Sequence, residues 1–346
     1  MILRDFLSST LDHIRGRPKR ALPTMYHYVG VLTDDLSELG VTVRRAGKHI
    51  LKLSHGETGH TAFLVVRYTT DTDLTLLQEV AGRGHRIGYL IDDDMWAMVA
   101  DTDLSEDYRN RVRHFLDTHV TRLMPLIGTV YAPSHQILAR MSDKACVKLD
   151  PAHLSPVSDL DHFAKPDPVR IVFLGTSTHR SDFRGVLPGV RAALEADQAL
   201  HLTTLLGKSG EALIPSGPQV RHIGDMFFPR FQTWLSRQRF HIGLAPYAPN
   251  PVNDGRSNLK FHQHAMVGAA GIYTRTAPFV EAVRHEATGL LVDHAPEAVQ
   301  AAIASLAADR NRMRDLAKAQ ISRSRELGDH ATLARLLCGT LGLLQE

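Results

Sequence analysis

From residue 169 onward the chain alternates short apolar runs, each closed by glycine or proline, with segments of helical periodicity. The run 169–174 ends at Gly175, 202–206 at Gly207, 220–223 at Gly224 and 240–245 at Pro246. Continuous apolar runs of this length suit strands buried on both faces, as in a parallel sheet. The segments 182–196, 228–237, 257–267, 278–285 and 296–308 read as helices, the first interrupted by Pro188 and Gly189. Pro278 and Pro296 sit where a first helical turn tolerates proline. With 271–274 and 289–292 as further strands, the pattern predicts a parallel α/β sheet covered on both faces.

The first half repeats this pattern less regularly. Strands are expected at 62–67, 86–91, 129–132 and 145–149, and helices at 73–82, 105–119 and 134–141. Residues 26–32 and 41–53 also read as strands, in a hairpin arrangement. This half is short for a full doubly wound domain, so a trimmed sheet is expected. Pro151, Pro156, Pro166 and Pro168 oppose both helix and central strand and mark a linker. The expected division is a domain at 1–150, a linker at 151–168, a second domain at 169–310 and helices at 311–346, a tail able to cross back onto the first domain.

Composition narrows the function classes. The formal net charge of +3 over 346 residues is too small an excess for a nucleic-acid binder. Its densest basic stretch, Arg15, Arg17, Lys19 and Arg20, reads as a solvated segment or as a contact for an anionic membrane surface. Cys146 and Cys338 form neither a disulfide framework nor a metal-type pair, which fits a reducing compartment. The opening MILRDFLSSTLDHIRGR carries Asp5 and no long apolar core, so no signal peptide is expected. A cytoplasmic protein, at most peripheral to the inner membrane, is the expectation.

In doubly wound sheets ligands bind beyond the carboxyl ends of the strands. Four strand ends carry informative residues. Gly175-Thr-Ser-Thr-His-Arg180 offers small residues, a helix N-terminus and the cation of Arg180 to an anion, or forms an ordinary capped turn. Gly207-Lys208-Ser209-Gly210 lacks the glycine spacing of a phosphate loop, so Lys208 reads as a surface residue. After Pro246-Tyr247, a polar loop runs into the helix that carries Lys260. Ser257 is its expected N-cap, with Ser257, Lys260 and His264 on one face and Leu259 and Met266 packing on the sheet. A lysine in a first helical turn opposes the macrodipole, a conflict that an anion would resolve. Asp92-Asp93-Asp94 are mutually repelling carboxylates that need solvent, a cation or donors; they can hold acceptor hydroxyls or supply a base. His262 and His264, two apart on a helix, point about 200° apart and cannot share a metal ion.

These segments together resemble the family-4 type bacterial glycosyltransferases. The stretch from Phe240 reads FHIGLAPY…NDGRSNLKFHQHAMVGAAGIYTRTAPFVEAVRHEATGLLVD, similar to the family's Ala-Pro turn, its Lys-Ser-x-Leu-Lys-Phe helix and its Gly-Leu-Leu-Val strand. GTSTHRSDFRGVLPGV resembles the Gly-Thr-x-Thr-His-x-x-Asp-Phe opening of the same domain, YLIDDDMW an Asp-rich segment of the first, and APSHQILARM a later helix; the match spans roughly 60–310.

The resemblance implies an α/β GT-B fold, two Rossmann-like domains facing a cleft, the N-terminal one reduced. It implies a retaining glycosyltransferase of hexosyltransferase type, acting in surface polysaccharide biosynthesis. The donor would be a UDP- or GDP-linked sugar and the acceptor a glycan or a lipid-linked glycan, with no metal or other cofactor. Catalytic roles would fall to Asp93 and Lys260. Donor contacts would come from Gly175, Thr176, His179, Arg180, Ser257, Asn258, Leu259, Lys260 and Gln263. The chain departs from the pattern at Gln263 and Gly255, where relatives carry glutamates. Those losses leave open an active enzyme, altered donor choice and a non-catalytic GT-B partner protein with a decayed donor site, and a GT-B epimerase is a third reading.

Overall fold

Two sheets of six strands organise the chain, which is seen here in a computed structural model. The structure describes residues 22–155, 159–166, 168–224 and 226–344. The basic stretch at Arg15–Arg20 lies outside the described residues, as does Pro156. The chain divides into two units. The first takes in the described residues up to His153, Gly255–Ser257 and the chain from Gly328 on; the second holds Leu154–Asp254 and Asn258–Leu327.

In the first unit the strands lie in sequence order: β1 (Val41–Arg45), β2 (Ile50–His55), β3 (Thr61–Val66), β4 (Arg86–Leu90), β5 (Thr129–Ala132) and β6 (Ala145–Lys148). The segment 41–53, expected as one strand of a hairpin with 26–32, is itself split into the antiparallel pair β1 and β2, and β2 pairs antiparallel with β3. Only β3 to β6 are mutually parallel. Successive crossovers in one direction place their helices on one face. Phe63, Val65, Ile87, Tyr89 and Val130 accordingly pack with Leu74, Leu77, Val112, Leu123 and Ile137 of the crossovers. The opposite face, carrying Leu64, Val66, Leu90 and Tyr131, would be bare. It is covered instead by Met25, Tyr28, Leu32 and Leu36 before the sheet and by Leu333, Leu337 and Cys338 from the helix His330–Thr340.

Residues 26–32 are thus not a strand. They belong to the helix Leu22–Tyr28 and the 3-10 turn Gly30–Leu32. The apolar positions Met25, Tyr28, Val29, Leu32 and Leu36 recur at helical spacing, and that period outweighs the β-branched content. The expected helix 105–119 also changes character, running as α-helix over Glu106–Phe115 and as a π turn over Leu116–Val120.

The second sheet is parallel throughout. Its strands are β7 (Val169–Phe173), β8 (Leu200–Thr204), β9 (Val220–His222), β10 (Ile242–Ala245), β11 (Ala270–Thr274) and β12 (Leu290–Val292). Across the sheet they run β12-β11-β10-β7-β8-β9. Counted from β7 this is the 3-2-1-4-5-6 order of the dinucleotide-binding fold, and the order reverses between β7 and β10. Ile171, Phe173, Leu202, Ile242 and Ile272 face Val186, Val190, Ile303 and Leu316 on one side. Val172 and Leu174 face Leu235, Phe240 and Val267 on the other. The helix Arg180–Ala196 continues through Pro188, and at Gly189 it lies against the backbone of Pro296, where a Cβ would collide with the Pro296 carbonyl. The residues after 310 form two helices, Arg310–Leu327 in the second unit and His330–Thr340 in the first. No helix among the described residues is long and apolar enough to cross a membrane.

Candidate functional site

The reversal point of the second sheet is built from the tips of β7 and β10. Gly175 follows β7 directly after Leu174, and a Cβ there would meet Phe173 and, at 2.8 Å, the Cβ of His179. The site therefore needs glycine for close packing, not for a special φ. Thr176 is exposed and its carbonyl accepts the His179 amide at 2.9 Å. Arg180 is exposed at the first position of the helix Arg180–Ala196.

Lys260 reaches the same tip from the helix Leu259–Met266. Its Nζ donates to the Leu174 carbonyl at 2.9 Å and to Gln263 Oε1 at 3.0 Å. An ammonium is thereby fixed one residue from Gly175. The helix that carries it is anchored from behind. A Cβ at Gly243 of β10 would strike the His264 ring, so the imidazole lies directly on the strand. His264 Nδ1 pairs with the Tyr273 hydroxyl at 3.1 Å. Gln320 donates to the same hydroxyl at 2.7 Å and to the Phe261 carbonyl at 3.1 Å. Burial, then the charge of Lys260, push the His264 imidazole down to about 3, so it is neutral at neutral pH.

Two details of this helix differ from expectation. Its N-cap is Asn258, without a side-chain cap bond, and not Ser257. Met266, half-buried, packs on the sheet against the cluster of Val172 and Leu174 as expected, but Leu259 is half-buried and His264, expected beside Lys260, is among the fully buried positions with Phe261 and Ala265. His262 turns to Ser324 Oγ at 2.8 Å, so the two histidines do have separate partners.

Of the expected donor residues, Gly175, Thr176, His179, Arg180, Asn258, Leu259, Lys260 and Gln263 all belong to the second unit, whereas Ser257 belongs to the first. There Ser257 is placed beside the buried phenol of Tyr28. Residues that sequence reasoning passed over complete the β7–β10 region. Asp182 binds His179 Nδ1 at 3.0 Å, and the His179 ring stacks on Tyr247, with centroids 5.0 Å apart and planes 5° apart. Asn253 donates to Asp182 at 2.8 Å. His179 and Asp182 are the His and Asp of the Gly-Thr-x-Thr-His-x-x-Asp-Phe segment, whereas the signal for Tyr247 and Asn253 was position after β10.

At the carboxyl ends of the first sheet, Asp92, Asp93 and Asp94 meet protein cations and donors. Arg67 pairs with both Asp92 and Asp93, and Arg256 lies 3.7 Å from Asp93. Thr24 donates to Asp92 at 2.7 Å. Asp94 is fully buried. It caps the helix Met95–Ala100 through the Ala97 amide and accepts from Gln136 at 2.6 Å and Arg140 at 2.9 Å. Two guanidinium groups around the Asp93 carboxylate compete for the lone pairs a general base would use. Burial pushes the Asp92 carboxyl up; Arg67 opposes this, Asp93 adds to it, and the net position is above the ordinary carboxylate value. Arg67 adopts a left-handed φ of 62°, a conformation that costs a non-glycine residue about 1 kcal/mol or more. Its carbonyl accepts from the Tyr89 hydroxyl at 3.0 Å. Gly255 lies in the same unit, and a Cβ there would come within 2.5 Å of Asp94 Cβ.

No family model matches this chain, and no curated protein matches it in sequence. Solved structures do match in fold. HepE of Anabaena, crystallised with UDP and glucose, aligns over 81% of this chain and 78% of its own, with 12% identity and a TM-score of 0.56. Sucrose-phosphate synthase of Thermosynechococcus elongatus aligns over 81% and 72%, with 17% identity and a TM-score of 0.54. TarM aligns over 95% and 84%, with 7% identity and a TM-score of 0.55. The fold is that of the GT-B class, with two Rossmann-like α/β units.

Proposed function

We propose that the chain is a family-4 type glycosyltransferase that moves a sugar from a nucleotide-sugar donor, UDP- or GDP-linked, to a glycan or lipid-linked acceptor. Hexosyl transfer with retention, in surface polysaccharide assembly, is the form of the reaction we favour. The observation that carries the reading is the fixed ammonium of Lys260 beside Gly175, at the reversal point of a 3-2-1-4-5-6 sheet. A ligand phosphate at such a crevice meets a helix N-terminus and a cation together. During transfer the bond from the anomeric carbon to the phosphate oxygen breaks with its electron pair on the nucleoside diphosphate, the acceptor oxygen bonds to that carbon, and the acceptor's hydroxyl proton passes to the departing phosphate. Negative charge grows on the leaving group, and Lys260 and Arg180 would stabilise it more in the transition state than in the bound donor.

Asp93, clasped by Arg67 and Arg256, suits the holding of acceptor hydroxyls better than proton abstraction. A second reading, a nucleotide-sugar-binding protein without transferase activity, is favoured by Gln263, whose oxygen is already engaged by Lys260. Titration of the purified protein with UDP, GDP and dTDP and their sugars, followed by product analysis with glycan acceptors, separates the two. Binding with transfer supports the enzyme, binding without transfer the second reading, and no binding by any nucleotide removes both.

A further inference from the structure

Asp182 is a buried acid to which the proposed reaction gives no part. It stands in the first turn of the helix Arg180–Ala196, yet its two oxygens serve two different loops. Oδ2 accepts from His179 Nδ1 at 3.0 Å, in the segment after β7. Oδ1 accepts the Ala248 amide at 3.0 Å and Asn253 Nδ2 at 2.8 Å, both in the segment after β10. Asn253 Nδ2 also reaches the Ala248 carbonyl at 2.9 Å, so the second loop is folded around the same point. These loops leave adjacent strands at the place where the strand order reverses, and the crevice of a doubly wound sheet opens between them. One carboxylate thus spans both lips of that crevice.

Two donors, the Ala248 amide and Asn253 Nδ2, converge on Oδ1, and an imidazole nitrogen faces Oδ2, a setting that suits an ionised carboxyl group. Burial acts to raise the Asp182 carboxyl, but the bond to and charge of His179, with the Ala248 and Asn253 donors, outweigh it and hold it below the ordinary carboxylate value. An ionised carboxylate can only accept, so the proton of His179 sits on Nδ1. The imidazole is held in the plane that stacks on Tyr247, and Thr274 Oγ1 braces the Tyr247 carbonyl at 2.6 Å.

We infer that Asp182 is a positioning residue that pre-forms this crevice, fixing His179 protonated at Nδ1 and clipping the loop after β10 to the loop after β7 for the diphosphate of a nucleotide. The diphosphate rests on the transferase reading; the clip itself does not. A ligand arriving at a tied crevice loses less conformational entropy on binding than one that must order two loops.

The test compares the full chain with Asp182→Asn and Asn253→Ala. Long-range proton–nitrogen spectra at pH 8, with His179 assigned by the signals lost in His179→Gln, should show an Nδ1–H tautomer in the natural protein. In Asp182→Asn, where the amide can donate to Nδ1, they should show Nε2–H. A third variant, Asp182→Ala, removes the acceptor of the Ala248 amide, and exchange there should accelerate about tenfold or more. The tautomer should stay Nδ1–H in Asn253→Ala, so one half of the inference is read even if Asp182→Asn does not fold. UDP or GDP should bind Asp182→Asn about tenfold more weakly than the natural protein. An Nε2–H tautomer in the natural protein, or unchanged Ala248 exchange in a folded Asp182→Ala, overturns the clip. Equal nucleotide affinity in a folded Asp182→Asn overturns its part in binding. Failure of the natural protein to bind any nucleotide, with tautomer and exchange as expected, sinks the transferase reading and leaves the clip standing.

Discussion

The ammonium of Lys260 donates to the carbonyl oxygen of Leu174 at 2.9 Å, which ties the Leu259–Met266 helix to the tip of β7. Lys260→Ala removes this bond and the one to Gln263. Each is a hydrogen bond to a charged donor, and such bonds contribute about 1.5–3 kcal/mol apiece. If Lys260 also meets the leaving diphosphate, kcat should fall about 10²-fold, the scale seen when one preorganised donor is lost. Melting temperature should fall as well, by about 2–4 °C for each kcal/mol lost in a unit of this size. Steady-state kinetics beside thermal unfolding checks this, and normal turnover in a folded Lys260→Ala would remove the role.

Gly255 read in the sequence as a lost glutamate; in the structure it is a residue that cannot carry a side chain, with Asp94 Cβ at 2.5 Å from where a Cβ would lie. Asp94 is fully buried and held by Gln136 and Arg140, so it cannot step aside. Gly255→Glu should therefore destabilise by about 1–3 kcal/mol, the usual cost of overpacking, and should not raise transfer activity. Urea unfolding and a donor-turnover assay read the two effects separately. A variant of unchanged stability and higher turnover would show that this position answers to the donor sugar and not to Asp94.

These two residues mark where sequence reading reached and where it stopped. Lys260 was legible because a cation in a first helical turn after a strand is a local anomaly with few explanations. The strands of the second unit were legible to within a few residues, four of them because a glycine or proline closes the segment, while β11 and β12 end before Arg275 and Asp293 without that mark. Tyr26–Leu32 was misread because its valines and aromatic residues carry β propensity, while the buried period through Met25, Val29, Leu32 and Leu36 decides the outcome. Asp182 and Asn253 are 71 residues apart, and Arg67 and Asp92 are 25 apart. Neither pairing leaves a mark at any local spacing, so no period or motif could disclose them.

His264 and His241 should make the protein acid-sensitive in a defined window. Burial and neighbouring cations depress the His264 imidazole to about 3 and the His241 imidazole to about 4. His241 Nδ1 accepts the Arg170 amide at 3.0 Å, a bond that protonation abolishes. Unfolded histidines titrate near 6.5, so below that pH the unfolded chain binds protons that the folded chain refuses. Stability should be level above about pH 7 and fall as pH drops from about 6.5 toward 4, by up to about 1.4 kcal/mol per pH unit for each imidazole. Urea unfolding at pH 7, 6 and 5 measures it. A flat profile over that range would mean that both rings accept a proton in the folded state, and half the slope that one of them does.

Arg67 offers the sharpest test of the first unit, because its two functions oppose each other. The left-handed φ of 62° favours glycine, so Arg67→Gly relieves backbone strain. The guanidinium, however, serves Asp92 and Asp93, and removing it takes the shared cation from two half-buried carboxylates, of which Asp93 keeps Arg256 at 3.7 Å. Loss of one partner from a buried pair costs about 3–5 kcal/mol, more than the strain recovers, so both Arg67→Gly and Arg67→Ala should destabilise at neutral pH, Arg67→Gly slightly less. The pH dependence then has a fixed sign. Asp92 already sits above its unfolded value, through burial first and Asp93 next, and without Arg67 it rises further. A carboxyl raised in the folded state gains stability as pH falls through its folded value. The gap between the natural protein and either variant should therefore narrow on acidification from pH 8 to 5, measured by parallel denaturant titrations. A gap independent of pH would mean that Arg67 supports this corner through packing on Tyr68, whose ring centroid lies 5.3 Å from the guanidinium, and not through its charge.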